Sequence, residues 1–108
     1  MTLQVLTTPE ADAQIRMIGD WWRKNRAAAR NLFLDELAAS FEIIGHAPHI
    51  GRAYQLSPVR GTRRILLKAT HYHVYYVPRD NEVRVLAVWH AQRAVGPPLR
   101  MQSEHPKR

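Results

Sequence analysis

Residues 61–90 constrain this chain more than any other stretch. They read Gly-Thr-Arg-Arg-Ile-Leu-Leu-Lys, then His-Tyr-His-Val-Tyr-Tyr-Val, then Val-Arg-Val-Leu-Ala-Val-Trp-His. β-Branched, aromatic and other apolar residues dominate all three runs, which suits a pleated, half-buried surface. The first break is Ala69-Thr70. The second is Pro78-Arg79-Asp80-Asn81-Glu82, where Pro presets φ and Asp-Asn tolerates left-handed backbone, so it reads as a hairpin turn. Three strands with tight connections form an antiparallel meander. One face of such a sheet needs cover from elsewhere in the chain.

The preceding residues supply that cover. Leu3, Val5 and Thr7 alternate with Thr2, Gln4 and Leu6, predicting a short first strand. Thr8-Pro9-Glu10 then opens a helix, with a hydroxyl at the N-cap, Pro at the first helical position and acids Glu10 and Asp12 in the first turn. Ala11, Ile15, Ile18 and Trp22 form one apolar stripe, with Trp21 flanking it, and Asn25 closes the helix. Ala27-Ala28-Ala29 predicts a second helix, whose stripe is Leu34, Leu37, Phe41 and Ile44, widened by Phe33 and Ala38. Gly45 is expected as its left-handed C-cap, with Pro48 beyond. Residues 46–60 hold Pro48, Gly51 and Pro58 without periodicity and read as a loop.

From Ala94 onward, Gly96, Pro97, Pro98 and Pro106 accompany mixed charges, so an extended or frayed segment is expected. The expectation is one α+β domain over residues 1–99 and a basic, frayed tail over 100–108. Its order is β-α-α-β-β-β, a mainly antiparallel sheet with a helical hairpin on one face.

A chain of 108 residues buries roughly 65% of its unfolded surface, enough for one core. It has no cysteine, which excludes disulfides and thiolate chemistry. The longest apolar run, 85–89, is far short of the roughly 20 residues a membrane helix needs. No charged flank precedes an apolar segment at the N-terminus, so a cytoplasmic protein without membrane contact is expected. Net charge is +7, unevenly placed: residues 1–45 carry 5 Lys/Arg against 6 Asp/Glu, and 46–108 carry 11 against 3. An anionic partner, nucleic acid or acidic protein, should approach the sheet half. A basic surface kept for solubility fits the same numbers.

His71 and His73, two apart on a predicted strand, should share a face. A metal site needs a third ligand and a second shell, and no carboxylate stands near His90 to help, so no metal and no cofactor are expected. Arg63 and Arg64, on opposite sides of their strand, lie near Tyr72, Tyr75 and Tyr76 and can hold phosphate or stack a base. A ribonuclease needs a base for the 2′-hydroxyl, an acid for the leaving oxygen and a cation on the phosphorane. His73, His90, Arg63 and Arg93 have that chemistry only if they converge. Otherwise they are solvated strand arginines and edge aromatics.

The element order resembles the RelE/ParE superfamily of toxins from type II toxin–antitoxin systems. So do Thr8-Pro9-Glu10-Ala11, Ala47-Pro48-His49-Ile50-Gly51 and Gly61-Thr62-Arg63. The sharpest likeness is His73-Val74-Tyr75-Tyr76 followed by Val85-Leu86-Ala87-Val88-Trp89-His90-Ala91-Gln92-Arg93. It is similar to a ParE-like pattern of His, two hydrophobics and Tyr, then a Val-x-His-x-x-Arg/Met ending. The resemblance covers residues 3–99. It implies a toxin bound in a hetero-oligomer by a small cognate antitoxin whose C-terminal segment is acidic and apolar.

In that superfamily, ParE-like members poison DNA gyrase without being enzymes, and RelE-like members cut messenger RNA on the ribosome. Ala94 stands where an Asp is usual after the His-x-x-Arg, and no Tyr follows His90 as in RelE-like ribonucleases. The resemblance therefore favours a ParE-like gyrase poison, with a role in plasmid stabilization. A ribosome-dependent endoribonuclease is the alternative, and a non-toxic basic binding module a second. The residues expected to meet target or antitoxin are Arg63, Arg64, Tyr72, Tyr75, Tyr76, Arg84, Trp89 and Arg93.

Overall fold

The computed structural model describes residues 2–101. Its elements are β1 (Gln4–Thr7), α1 (Pro9–Asn25), α2 (Leu32–His46), β2 (Arg52–Ala53), β3 (Arg63–Leu67), β4 (Tyr72–Pro78) and β5 (Glu82–His90). The strands form one sheet in the order β1-β5-β4-β3-β2. The expected meander is its centre, with β3–β4 and β4–β5 antiparallel. β1 returns parallel to β5, which a crossover through two helices permits.

Strand alternation sorts the side chains onto two faces. Ile65, Leu67, Tyr72, Val74, Tyr76, Val83, Val85 and Val88 pack towards the helices. Tyr75, Val77, Leu86, Ala87 and Trp89 form a second, smaller cluster on the other face. A bulge makes both clusters possible: Tyr76 stands opposite Val85 and Tyr75 opposite Ala87, so Leu86 is the extra residue. Without it, Val85 and Val88 would point to opposite faces.

Thr8 fixes the start of α1 in three ways. Its Oγ1 accepts from the Ala11 N–H at 3.1 Å and donates to the Leu86 carbonyl at 3.3 Å. Its own N–H donates to the Val85 carbonyl at 3.0 Å. The pairing of β1 with β5 stops at Thr7↔Val85, and further along β5 the Val88 N–H donates to Gln14 Oε1 at 2.8 Å. Side chains of α1 thus continue the sheet edge that β1 leaves, satisfying backbone groups that would otherwise be orphaned.

In α2 the buried stripe is Phe33, Leu37, Ser40 and Ile44. This corrects the sequence expectation by a small rotation: Leu34 and Phe41 flank the core and Ala38 is exposed. Ala27–Ala29 forms a 3₁₀ turn and α2 begins only at Leu32. Gly45 lies inside α2 rather than capping it. A Cβ there would stand 3.0 Å from the Leu3 carbonyl, and the Leu3 N–H donates to the Gly45 carbonyl at 2.9 Å. Close approach of β1 is what requires glycine.

Three further expectations are corrected. Residues 46–60 are not all loop, because Arg52–Ala53 pairs with β3 as an edge strand. His71 is not on a strand beside His73. It sits in the β3–β4 turn at φ 66, and Glu36 clasps this turn by accepting from the Ala69 N–H, the Thr70 N–H and the Thr70 hydroxyl. The segment after Ala94 does bury apolar surface: Leu99 is 6% exposed and packs with Tyr75, Val77, Leu86 and Ala87. Of the tail expected to fray, residues 102–108 lie outside the described residues. No described helix is long and apolar enough to cross a membrane.

Leu37 is 5% exposed in the main core. Leu37→Ala should lower stability by about 2–5 kcal/mol, read as an earlier urea midpoint with an unchanged slope. An unmoved midpoint would contradict this packing.

Candidate functional site

The chemistry of a site depends first on geometry, and here the candidate residues divide between several places. Arg63 lies on the helix-side face, opposite Tyr76. Its Nη1 donates to the His49 carbonyl at 3.1 Å and the Gly51 carbonyl at 2.6 Å. The buried Tyr76 hydroxyl accepts from the Gly51 N–H at 2.9 Å. A Cβ on Gly51 would stand 2.6 Å from that oxygen and 2.9 Å from the Arg64 carbonyl, so only glycine fits. Burial pushes the Tyr76 phenol above its ordinary 10.0, while the Gly51 hydrogen bond and the Arg63 charge pull it back. Arg63 and Tyr76 together pin the loop between α2 and β2.

Arg64 occupies the opposite face. Its guanidinium lies 5.0 Å from the Tyr54 ring centroid and 5.9 Å from that of Tyr75, and Nη1 donates to the Tyr75 hydroxyl at 3.3 Å. His73 stands beside Tyr75, ring centroids 5.8 Å apart. Burial first, then the Arg64 charge, holds its pKa below 6.5. Arg84 is engaged by Glu82, with its Nε 2.8 Å from Oε2.

His90 pairs across with Tyr72, whereas His73 pairs with Trp89, so the two histidines are on opposite faces of the sheet. Arg63 pairs at Tyr76, four residues along β4 from Tyr72, a strand distance of roughly 13 Å. The four candidates for general acid–base cleavage of RNA are therefore not all brought together: His90 and Arg93 line one cavity, and Arg63 and His73 lie elsewhere. Arg93 lies 4.6 Å over the Trp89 ring, whose Nε1 donates to the Val95 carbonyl at 2.8 Å. That bond holds the C-terminal segment across the sheet.

What the structure does assemble is a groove along α1. Two adjoining cavities, of about 580 and 330 Å³, share Met17, Ile18, Tyr72 and His90. The Tyr72 ring meets Phe33 and His90 edge-on, at 5.2 and 5.1 Å, which fixes the groove floor. Arg26 and Arg93 stand at its two ends, and among the described residues no carboxylate lines either cavity. Arg26 is held 5.2 Å from the Trp21 ring. Trp21 is 46% and Met17 71% exposed. Sequence reasoning missed Met17 and Arg26. The available signal was Met17 and Trp21 at i, i+4 on the flank of the buried stripe, a second apolar strip with no covering element. Among the described residues no group of three His, Asp or Glu could hold a metal ion.

The family model for the ParE toxin of type II toxin–antitoxin systems, parDE, matches residues 5–95. Among solved structures, a chain of the chromosomal ParDE toxin–antitoxin system from P. aeruginosa superposes with a TM-score of 0.68 at 15% identity. That match covers 84% of this chain and 98% of that one. A mutant of the E. coli toxin RelE in its free state superposes with a TM-score of 0.55 at 20% identity, covering 85% and 86%. At these identities the structural likeness concerns the fold. No curated protein matches the sequence.

Tyr76→Phe leaves the buried Gly51 N–H without its acceptor and should cost about 1–3 kcal/mol. Arg63→Ala should expose residues 47–53 to limited proteolysis, and equal cleavage rates in wild type and variant would contradict the pin. His73 gives a pH signature. Folded protein binds its proton less readily than unfolded chain, so its contribution to stability is intact above 6.5 and is lost as pH falls from there towards the depressed folded value. His73→Asn should flatten that part of a urea-midpoint series against pH.

Proposed function

The chain belongs to the ParE toxin family of type II toxin–antitoxin systems, and on that footing we propose that it arrests growth as a non-catalytic poison of DNA gyrase. A small cognate antitoxin, with an acidic and apolar C-terminal segment, holds it silent in a hetero-oligomer. One observation carries the choice of target. Arg63 is committed to loop carbonyls, and His73 and His90 face opposite ways, so among the described residues these candidates do not converge as the acid, base and phosphorane cation that RNA cleavage needs. A toxin that acts by binding needs none.

The α1 groove is our candidate for the antitoxin. Its floor of Ile18, Tyr72 and Val88 suits apolar side chains, and Arg26 and Arg93 at its ends suit flanking carboxylates. Apolar anchors would supply most of the affinity, and the charges would favour orientation and association rate.

Expression without a partner should stop growth with trapped gyrase–DNA complexes and intact messenger RNA. The test pairs purified gyrase supercoiling with primer-extension mapping of transcripts from induced cells. Discrete ribosome-dependent cleavage with normal supercoiling would replace this reading with the endoribonuclease one. Met17→Asp with Arg26→Glu should weaken antitoxin binding by about 100-fold or more, equivalent to roughly 3 kcal/mol, as read by calorimetry. Co-expression would then no longer rescue growth. Unchanged affinity would move the antitoxin away from this groove.

A further inference from the structure

We propose that the loop between β2 and β3, residues 54–61, is the surface by which this chain grips its target protein, with Leu56 entering an apolar pocket that has an acidic rim. The inference rests on the reading that the chain acts by binding, and it does not depend on the target being gyrase.

The first observation is an apolar side chain that folding does not use. Leu56 is 83% exposed, more than any other large hydrophobic residue among those described. Its neighbours in the loop do serve the fold. Tyr54 and Val59 pack against the smaller cluster on the sheet's second face, and the Tyr54 ring meets that of Tyr75 edge-on at 4.9 Å. The loop thus turns Tyr54 and Val59 inward and leaves Leu56 in water, where it gains nothing from burial.

Second, the loop is built to a fixed shape. Its ends are joined by the Tyr54 N–H donating to the Thr62 carbonyl at 2.9 Å. Inside it, the Ser57 hydroxyl accepts from the Val59 N–H at 3.0 Å and lies 2.7 Å from Thr62 Oγ1. Thr62, 3% exposed, donates in turn to the Val59 carbonyl at 2.6 Å. Gly61 reverses the chain at φ 85. Compact loops packed by their own side chains are frequently functional, and a contact loop ordered in advance loses less entropy on binding. The C-terminal segment abuts the base of this loop: a Cβ on Gly96 would stand 3.0 Å from the Tyr54 hydroxyl. Beside Gly96, Val95 is 75% exposed, a second apolar residue at this end of the molecule.

Third, the charge around the loop has one sign. Residues 43–79 contain no Asp or Glu. Arg52 and Arg60 flank Leu56 in sequence and are exposed, and Arg60 lines a cavity of about 370 Å³ within the loop. Arg79 Nη1 would lie 3.8 Å from a Cβ on Gly61. Cations around an apolar tip match a partner pocket whose rim is acidic.

The loop also stands apart from the α1 groove. It precedes Arg63 at one end of β3, whereas residues 69–72 wall the groove beyond the other end, roughly 13 Å along the strand. Target and antitoxin therefore meet different residues. A nucleic acid would engage the arginines and leave Leu56 without a partner. A second copy of this chain would bring cation against cation.

The test expresses Leu56→Asp, Leu56→Met and Arg60→Glu in the full chain, scores growth arrest, and assays each purified protein against gyrase supercoiling. Leu56→Asp should abolish arrest and raise the concentration for half inhibition about thirtyfold or more, as loss of a central apolar anchor does. Leu56→Met, which keeps the apolar volume, should stay within about threefold of wild type, and Arg60→Glu should fall between. Thermal midpoints should not move, because residue 56 is exposed, and this separates a lost contact from a lost fold. Leu56→Ser repeats the test should the new charge disturb the loop. If wild type leaves supercoiling untouched while Leu56→Asp still abolishes arrest, gyrase is the wrong target and the loop remains the contact. Full arrest by Leu56→Asp would overturn the inference. Arrest lost in Arg60→Glu but kept in Leu56→Asp would show a polyanion surface instead.

Discussion

The outer side of β5 is the constraint from which the rest of this structure follows. β5 is buried on both faces, by the helices on one and by Leu99 and its neighbours on the other, so each of its backbone groups requires a partner inside the protein. β1 provides partners as far as Val85 and then turns away into α1. The next groups are met by side chains of α1, the Thr8 hydroxyl at the Leu86 carbonyl and Gln14 at the Val88 N–H. α1 is thereby fixed in height and rotation against the sheet, not merely laid on it by apolar contact. Hydrophobic burial alone is non-directional and would tolerate a helix slid or rolled by several degrees.

That fixed placement creates the α1 groove. With Thr8 and Gln14 anchored on β5, the next turns of the helix present Ile18 and Trp22 towards the sheet and Met17 and Trp21 along its margin. The facing wall is equally determined. Glu36 takes three hydrogen bonds from Ala69 and Thr70, holding the turn in which His71 adopts a left-handed backbone. A non-glycine residue at φ 66 carries strain that surrounding contacts must offset, and the Ala91 N–H bonding to the His71 carbonyl adds one such contact. Two independent clasps, one on α1 and one on α2, thus set the two walls of a single cleft.

The elements were legible because their signals are local. The Thr8-Pro9-Glu10 helix start, the Asp80-Asn81 hairpin and the period-2 runs each depend on neighbours in sequence, and the ladder of β3, β4 and β5 has the expected order. The misreadings share a different cause. Gly45 looks like a C-cap from its place at the helix end, yet the nearby atom that demands glycine is the Leu3 carbonyl, forty-two residues away. β2 is two residues long and exists only because β3 is there to receive it. Leu99 follows two prolines in a stretch of low periodicity, and only the smaller apolar cluster on the sheet's second face explains why it is buried.

The candidate site shows the same limit in sharper form. Composition identified the sheet half of the chain as basic, but chemistry depends on what each cation has already bound. Arg63 and Arg64 are adjacent in sequence and alike in charge, and alternation sends them to opposite faces. Arg63 donates to two loop carbonyls and Arg64 stacks between Tyr54 and Tyr75. Withdrawing Arg63 to stabilise a phosphorane would strip the part-buried Gly51 carbonyl of this donor, and the more exposed His49 carbonyl with it. Arg26 and Arg93, at the ends of the α1 groove, make no such bond to a loop carbonyl among the described residues and rest instead against the Trp21 and Trp89 rings.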